Sequence, residues 1–182
     1  MKQKPTQVDE RTLARMADLA GKPVTEREAV AEAELIMSPA TFRLLTGGKV
    51  RKGDPFAVAR VAGIQAAKRT PELLPLCHPL QLTSVAIDFE ADERRSTVRI
   101  LARARAIDRA GVEMEALTAA TVAGLAIYDM CKAVERGIVI GPVWLLERRG
   151  GEAGTWRAKR RRKEGTQLPR GARPARRKTK AT

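Results

Sequence analysis

The sequence predicts an α+β fold in which helices cover one face of an antiparallel sheet. Two observations lead to this class. Three helical segments come first and a single β-hairpin follows them. A long helix and a last pair of strand segments then complete the chain. This order, with the hairpin and the helices grouped rather than alternating, favours an antiparallel sheet with a helical layer on one side.

The first two helices are predicted from their terminal signals. Thr25 and Glu28 have the spacing of a capping box, and the alanines of residues 29–33 are strong helix formers. Ser38-Pro39 begins a second, short helix with proline in its first turn. Gly47-Gly48 ends that helix.

A third helix is predicted over residues 56–68, where Phe56, Val61 and Ile64 have helical spacing. Beyond it, Pro71 and Pro75 restrict the backbone. They predict an extended segment that leads into Cys77-His78-Pro79.

The strands are predicted from alternation. Residues 82–91 and 98–107 alternate apolar with polar side chains around the polar turn at residues 92–96, which predicts a β-hairpin. Residues 113–136 are so rich in Ala, Leu and Met that this helix should be buried on most sides, with Gly137 at its end. Residues 138–140 and 143–147 predict a last strand pair around Gly141-Pro142.

Charge divides the chain. Residues 148–182 contain 14 Lys or Arg and 2 Asp or Glu, a net charge of +12 out of the total of +14. The chain is therefore expected to comprise an arm at residues 1–22, an α+β domain at residues 23–149 and a basic tail without a packed core at residues 150–182. Cys77 and Cys131 form no CxxC pair, which indicates the cytoplasm, and no apolar run is long enough to cross a membrane.

Candidate acid/base groups come from three short strings. His78 is the only histidine; it is either a proton shuttle or a hydrogen-bonded structural side chain. Glu113 and Glu115 are either site carboxylates or acids that favour a helix N-terminus. Asp129 and Lys132, three residues apart on a helix, are either a surface ion pair or a pair in a cleft, and their apolar flanks favour the cleft.

Nearby cations suit an anionic substrate. Lys52 occupies a glycine-containing turn, and Lys68 and Arg69 end the third helix close in sequence to His78. Each of them alone is equally consistent with a solvated surface charge. If Glu113 and Asp129 share one helix, their sixteen-residue spacing separates them by roughly 24 Å. Either the glutamates precede the helix, or sites form between subunits.

Together, these strings resemble the molybdenum cofactor biosynthesis protein C family, the cyclic pyranopterin monophosphate synthases. The matching segments are residues 49–54, 62–70, 74–80, 111–118 and 128–133, in order and at the family's spacing. The resemblance implies a ferredoxin-like α+β fold and a homohexamer, a trimer of dimers, with active sites at subunit interfaces. It implies conversion of 3′,8-cyclo-7,8-dihydroguanosine 5′-triphosphate to cyclic pyranopterin monophosphate and pyrophosphate.

The resemblance also implies roles for single residues. Asp129, Lys132, Lys52 and His78 are expected to be catalytic. The residues expected to bind substrate are Leu76, Cys77, His78, Glu113, Met114, Glu115, Lys68 and Arg69. No protein metal site is expected, although Mg²⁺ can accompany the triphosphate.

An alternative from another class is a nucleic-acid-binding module that acts through the basic tail. Such a tail would contact any polyanion non-specifically and in a salt-dependent way. However, the chain has only six aromatic residues, Phe, Trp and Tyr together. The α+β domain therefore offers no stacking platform for bases.

Overall fold

A computed structural model describes residues 14–159, in which helices pack on one face of a five-stranded antiparallel sheet. The strands lie in the order β2-β3-β1-β4-β5. The predicted α+β class is confirmed. In chain order the elements are β1 (Thr25–Ile36), α1 (Pro39–Thr46), α2 (Pro55–Lys68), α3 (Thr70–Leu73), β2 (Leu82–Asp92), β3 (Thr97–Asp108), α4 (Glu113–Cys131), β4 (Val139–Arg149) and β5 (Trp156–Arg157).

The first predicted helix is wrong, because residues 25–36 form the central strand β1. Its alanines and Leu35 alternate along the strand, so they face the helices and are fully buried. On the opposite face, Glu32 is buried beneath Arg99, whose guanidinium donates two hydrogen bonds of 3.0 and 2.6 Å to its carboxylate. Helix propensity is a weak preference that pairing on both sides of a strand overrides.

Helix α4 lies across the sheet and packs tightly against α2. The close approach depends on Gly63, where an added Cβ would lie 2.8 Å from the carbonyl oxygen of Ala119 and 2.2 Å from Cδ1 of Ile87. The small side chains of Ala119 and Ala123 complete this contact. The predicted burial of the long helix is therefore correct over its middle turns.

Three predicted boundaries differ from the structure. Pro71 occupies the first turn of the short helix α3, where a missing N–H costs nothing. Helix α4 ends at Cys131 rather than Arg136, and beyond its end Glu135 accepts hydrogen bonds from the backbone N–H and hydroxyl of Ser38. The predicted last strand pair is the single strand β4, whose pairing with β1 contains two register shifts.

The two ends of the chain are described in part. Residues 14–22, in the predicted arm, contain only one isolated bridge and a turn, and residues 1–13 lie outside the described range. The first residues of the predicted tail form a turn and strand β5, which pairs with Glu147 and Arg148 of β4. This part of the tail is therefore structured, while residues 160–182 lie outside the described range.

Candidate active site

A cavity of about 920 Å³ opens at the N-terminal end of α4. The loop after α3, the loop before α4 and the turn that joins β4 to β5 surround it. Six residues predicted to bind substrate line this cavity: Leu76, Cys77, His78, Glu113, Met114 and Glu115. The structure thus brings together two strings that are about 35 residues apart in the sequence.

Asp108 links the two loops that carry these strings. It ends strand β3, and its Oδ2 accepts a hydrogen bond of 3.3 Å from the backbone N–H of Gln81, three residues after His78. Its Oδ1 accepts one of 2.6 Å from the backbone N–H of Arg109. The histidine loop and the glutamate loop are therefore tied to the same strand end.

Glu115 has the most perturbed carboxyl group of the cavity. It is 3% exposed, and burial, reinforced by the nearby charge of Glu113, raises its pKa from 4.5 to about 7. A carboxyl group with this pKa can both donate and accept a proton near neutral pH. Burial, and then the charge of Glu115, also raises the pKa of Cys77, which keeps this thiol protonated.

A second cluster lies at the other end of α4. Oδ2 of Asp129 is 3.1 Å from Nζ of Lys52, and its Oδ1 is 2.6 Å from Nζ of Lys132. Hydrogen bonds from Lys132 and then Lys52 lower the pKa of Asp129, and the carboxylate in turn raises the pKa of Lys132. Lys52 and Asp129 are far apart in sequence, and the antiparallel packing of α2 on α4 brings them into contact.

The cleft predicted around Asp129 and Lys132 is not found within one chain. Their side chains are 55% and 52% exposed, and that of Lys52 is 48% exposed. Of the apolar flanks that favoured a cleft, Ile127 and Met130 are buried, whereas Leu125 and Val134 are themselves exposed. Some other surface must cover the charged groups if they act in a site shielded from water.

The two clusters are far apart in a single chain. Glu113 and Asp129 both belong to α4, so their backbones are about 24 Å apart. Lys68 and Arg69 are exposed at the end of α2 and do not line the cavity. The sequence left open that the glutamates precede the helix or that sites form between subunits, and the structure excludes the first option because both glutamates lie within α4.

Five cations of the cavity were not singled out in the sequence. They are Lys22, Arg27, Arg109, Arg148 and Arg149. Each comes from a different segment or from a strand end, so spacing along the chain gives no signal for them. Nε of Arg148 lies 3.7 Å from Oε1 of Glu113. With these residues, the cavity combines acid/base groups with positive charge.

No group of three or more His, Cys, Asp or Glu side chains in residues 14–159 is arranged to hold a metal ion. Within the same range, no helix has the length and hydropathy that crossing a membrane would require.

Comparison with known proteins assigns the family. A sequence model described as the MoaC family matches residues 16–151. The chain belongs to the MoaC family. It is 58% identical over 154 residues to the cyclic pyranopterin monophosphate synthase of Pelotomaculum thermopropionicum. The aligned residues make up 85% of this chain and 91% of that protein. The corresponding enzyme of Thermomicrobium roseum is 54% identical over 152 residues, covering 84% of this chain and 92% of that protein.

The family match contains both clusters and every cation of the cavity, since all of them lie within residues 16–151. It confirms the resemblance seen in the sequence. These comparisons give no support to the alternative of a nucleic-acid-binding module. The residues beyond 151 lie outside the family match.

The pKa of Glu115 predicts how the stability of this MoaC protein depends on pH. Between 4.5 and about 7 the folded state binds more protons than the unfolded state. The free energy of unfolding should therefore fall as pH rises through this window, by up to about 3 kcal/mol, and level off above it. Glu115→Gln should remove this part of the slope in urea denaturation measured from about pH 5 to about pH 8.

Glu72→Gln is the matched control for this measurement, because Glu72 is exposed on α3. It should keep the wild-type slope. Parallel slopes for the wild type and Glu115→Gln would contradict the raised pKa.

Proposed function

We propose that this chain is a cyclic pyranopterin monophosphate synthase that acts in molybdenum cofactor biosynthesis. Its substrate is 3′,8-cyclo-7,8-dihydroguanosine 5′-triphosphate, and its products are cyclic pyranopterin monophosphate and pyrophosphate. The observation that carries the proposal is the 58% identity to a protein of that name over 85% of the chain. The family match over residues 16–151 includes the Lys52–Asp129–Lys132 cluster and the cavity residues up to Gly150.

The residues of the cavity suit the first half of this reaction. Rebuilding a purine into a pterin requires protons to be moved between ring nitrogens and carbons. Glu115, with a pKa of about 7, and the imidazole of His78 are the groups suited to this transfer. Leu76, Cys77 and Met114 provide the uncharged wall beside them.

Lys52 and Lys132, together with Asp129, suit the second half of this reaction. A sugar hydroxyl attacks the α-phosphorus, the cyclic phosphate ester forms, and the bond to the leaving pyrophosphate breaks. Asp129 is held ionised by two lysines, so it can accept the proton of the hydroxyl. Lys132 and Lys52 can stabilise negative charge on the phosphate oxygens.

We further propose that active sites are completed between subunits of a homohexamer, a trimer of dimers. The support for this is geometric. The two clusters lie about 24 Å apart at opposite ends of α4, so one small molecule cannot reach both in the same chain. In an isologous dimer, each helix end of one subunit can face the opposite end of its partner, and this would also cover the exposed Asp129.

Two accompanying features remain proposals. Mg²⁺ would arrive on the triphosphate, because that ion prefers phosphate oxygens and one or two carboxylates to a protein cage. The cytoplasm is the proposed location, since the free thiols Cys77 and Cys131 suit a reducing compartment.

The proposed function is tested by incubating the purified full chain with the cyclised triphosphate and measuring pyrophosphate. Stoichiometric release of pyrophosphate and formation of the pterin monophosphate are expected. GTP is the matched control substrate and should release none. Failure to convert the cyclised triphosphate would overturn the assignment.

The part of the basic tail from residue 160 onward is expected to be dispensable for this chemistry. Residues 160–182 contain ten Lys or Arg and one Glu, a net charge of +9. Their removal should leave turnover nearly unchanged. It should also abolish a non-specific retention of RNA or DNA at low salt that falls steeply as salt rises, as counterion release requires.

The point of truncation matters for this experiment. Glu152 and Ala153 line the cavity, so removal of residues 152–182 should lower turnover, whereas removal of residues 160–182 should not. Replacing the four basic residues 160–163 by glutamine is the matched control for charge. Loss of turnover in the folded protein without residues 160–182 would show that these residues contribute to the active site.

A further inference from the structure

Arg27 is held in the cavity by backbone oxygens rather than by a carboxylate. Its Nε donates a hydrogen bond of 3.1 Å to the carbonyl oxygen of Asp108, and its Nη2 donates one of 2.8 Å to that of Arg109. It forms no salt bridge within residues 14–159. A guanidinium fixed by neutral oxygens keeps its full positive charge for a ligand.

The third nitrogen of this guanidinium lies against a glycine. A Cβ added at Gly151 would lie 1.7 Å from Nη1 of Arg27 and 2.6 Å from its Cζ. Gly151 has a φ of +69° in the turn that follows β4. The guanidinium of Arg27 therefore occupies the space that a side chain at residue 151 would fill.

The neighbouring glycines have different roles. A Cβ at Gly150 would lie 2.0 Å from the backbone oxygen of Glu26, so Gly150 is needed for β4 to approach β1. Gly154 has a φ of +62°, but an added Cβ there would meet nothing within 4 Å. Gly151 and Gly154 thus share the same backbone strain on substitution, and only Gly151 contacts Arg27.

We propose that Gly151 is a positioning residue: its missing side chain leaves the room that Arg27 needs to stay in the cavity as a cation for the phosphate groups of the ligand, with no carboxylate partner within residues 14–159. An alanine at residue 151 would displace the flexible end of Arg27 and would not need to move backbone. The cost in folding should therefore resemble that of any alanine in a left-handed turn. The loss should appear in anion binding, and this inference rests on the proposed function because the ligand there is a triphosphate.

The test compares Gly151→Ala with the matched control Gly154→Ala in the full chain. Both should lower the melting temperature to a similar extent. Gly151→Ala should raise KM for the cyclised triphosphate about tenfold or more, the scale of a lost charge-assisted hydrogen bond, with kcat little changed. It should weaken the binding of inorganic pyrophosphate, measured by calorimetry, by a similar factor, while Gly154→Ala should do neither.

Arg27→Gln shows whether the effect passes through the arginine. It should reproduce the loss of pyrophosphate binding, and the double variant with Gly151→Ala should bind no more weakly than Arg27→Gln alone, because coupled residues are not additive. Equal effects of Gly151→Ala and Gly154→Ala, or additive losses in the double variant, would overturn the inference. Pyrophosphate binding tests it separately from turnover: an inactive wild type that binds pyrophosphate refutes only the proposed function, and a wild type that binds none refutes the inference.

Discussion

Asp129→Asn and Lys132→Ala are each expected to lower turnover by about 10²-fold or more, the scale of a lost acid/base partner. Asparagine cannot accept the proton of the attacking hydroxyl, and alanine removes the cation nearest to that carboxylate. Both side chains are more than half exposed, so neither change should unfold the protein. Pyrophosphate release under saturating substrate measures the effect.

Asp88→Asn is the matched control, because Asp88 is an exposed carboxylate on β2 that lies outside both clusters. It should retain the turnover of the wild type. Circular dichroism and light scattering should show that all three variants keep their fold and assembly. Near-normal turnover in both Asp129→Asn and Lys132→Ala would remove this cluster from the mechanism.

The sequence predicts the helices and strands where local signals and burial agree. The alternation of the hairpin matches β2 and β3, Ser38-Pro39 begins α1, and the helical spacing of residues 56–68 matches α2. The helix prediction for residues 25–36 is wrong because the alanines there are compatible with both structures, with a helix by propensity and with a strand by alternation. Only the partners on both sides, β3 and β4, decide for the strand, and a single segment carries no information about them.

The candidate site shows the same division. The strings around His78, Glu115 and Asp129 could be found because each combines several chemical groups within a few residues. Arg27 and Gly151 could not, since their contact depends on the turn between β4 and β5 folding back on β1. The exposure of Asp129 was also missed, because apolar neighbours along a helix do not tell whether the charged face points into the chain or out of it.

Two inactive variants are expected to restore activity to each other when their changes lie at opposite ends of α4. Glu115→Gln should be inactive, because glutamine can neither take up nor release a proton. If sites form between subunits, mixed dimers of Asp129→Asn and Glu115→Gln contain one site in which both residues are intact. Random mixing should then restore about a quarter of the wild-type sites in an isologous dimer.

The matched control for this experiment mixes Asp129→Asn with Lys52→Ala. Asp129 and Lys52 contact each other within one chain, with Oδ2 and Nζ 3.1 Å apart. In a mixed dimer each subunit therefore carries one defect in its own copy of this cluster. No site has an intact cluster, and no activity should return. The subunits must be unfolded and refolded together, and the measured activity compared with the sum of the separate variants. Recovery in the first mixture alone supports a site shared by two chains. Recovery in neither mixture, or full activity in a wild-type monomer identified by light scattering, means that a single chain does the chemistry and that the ends of α4 do not meet.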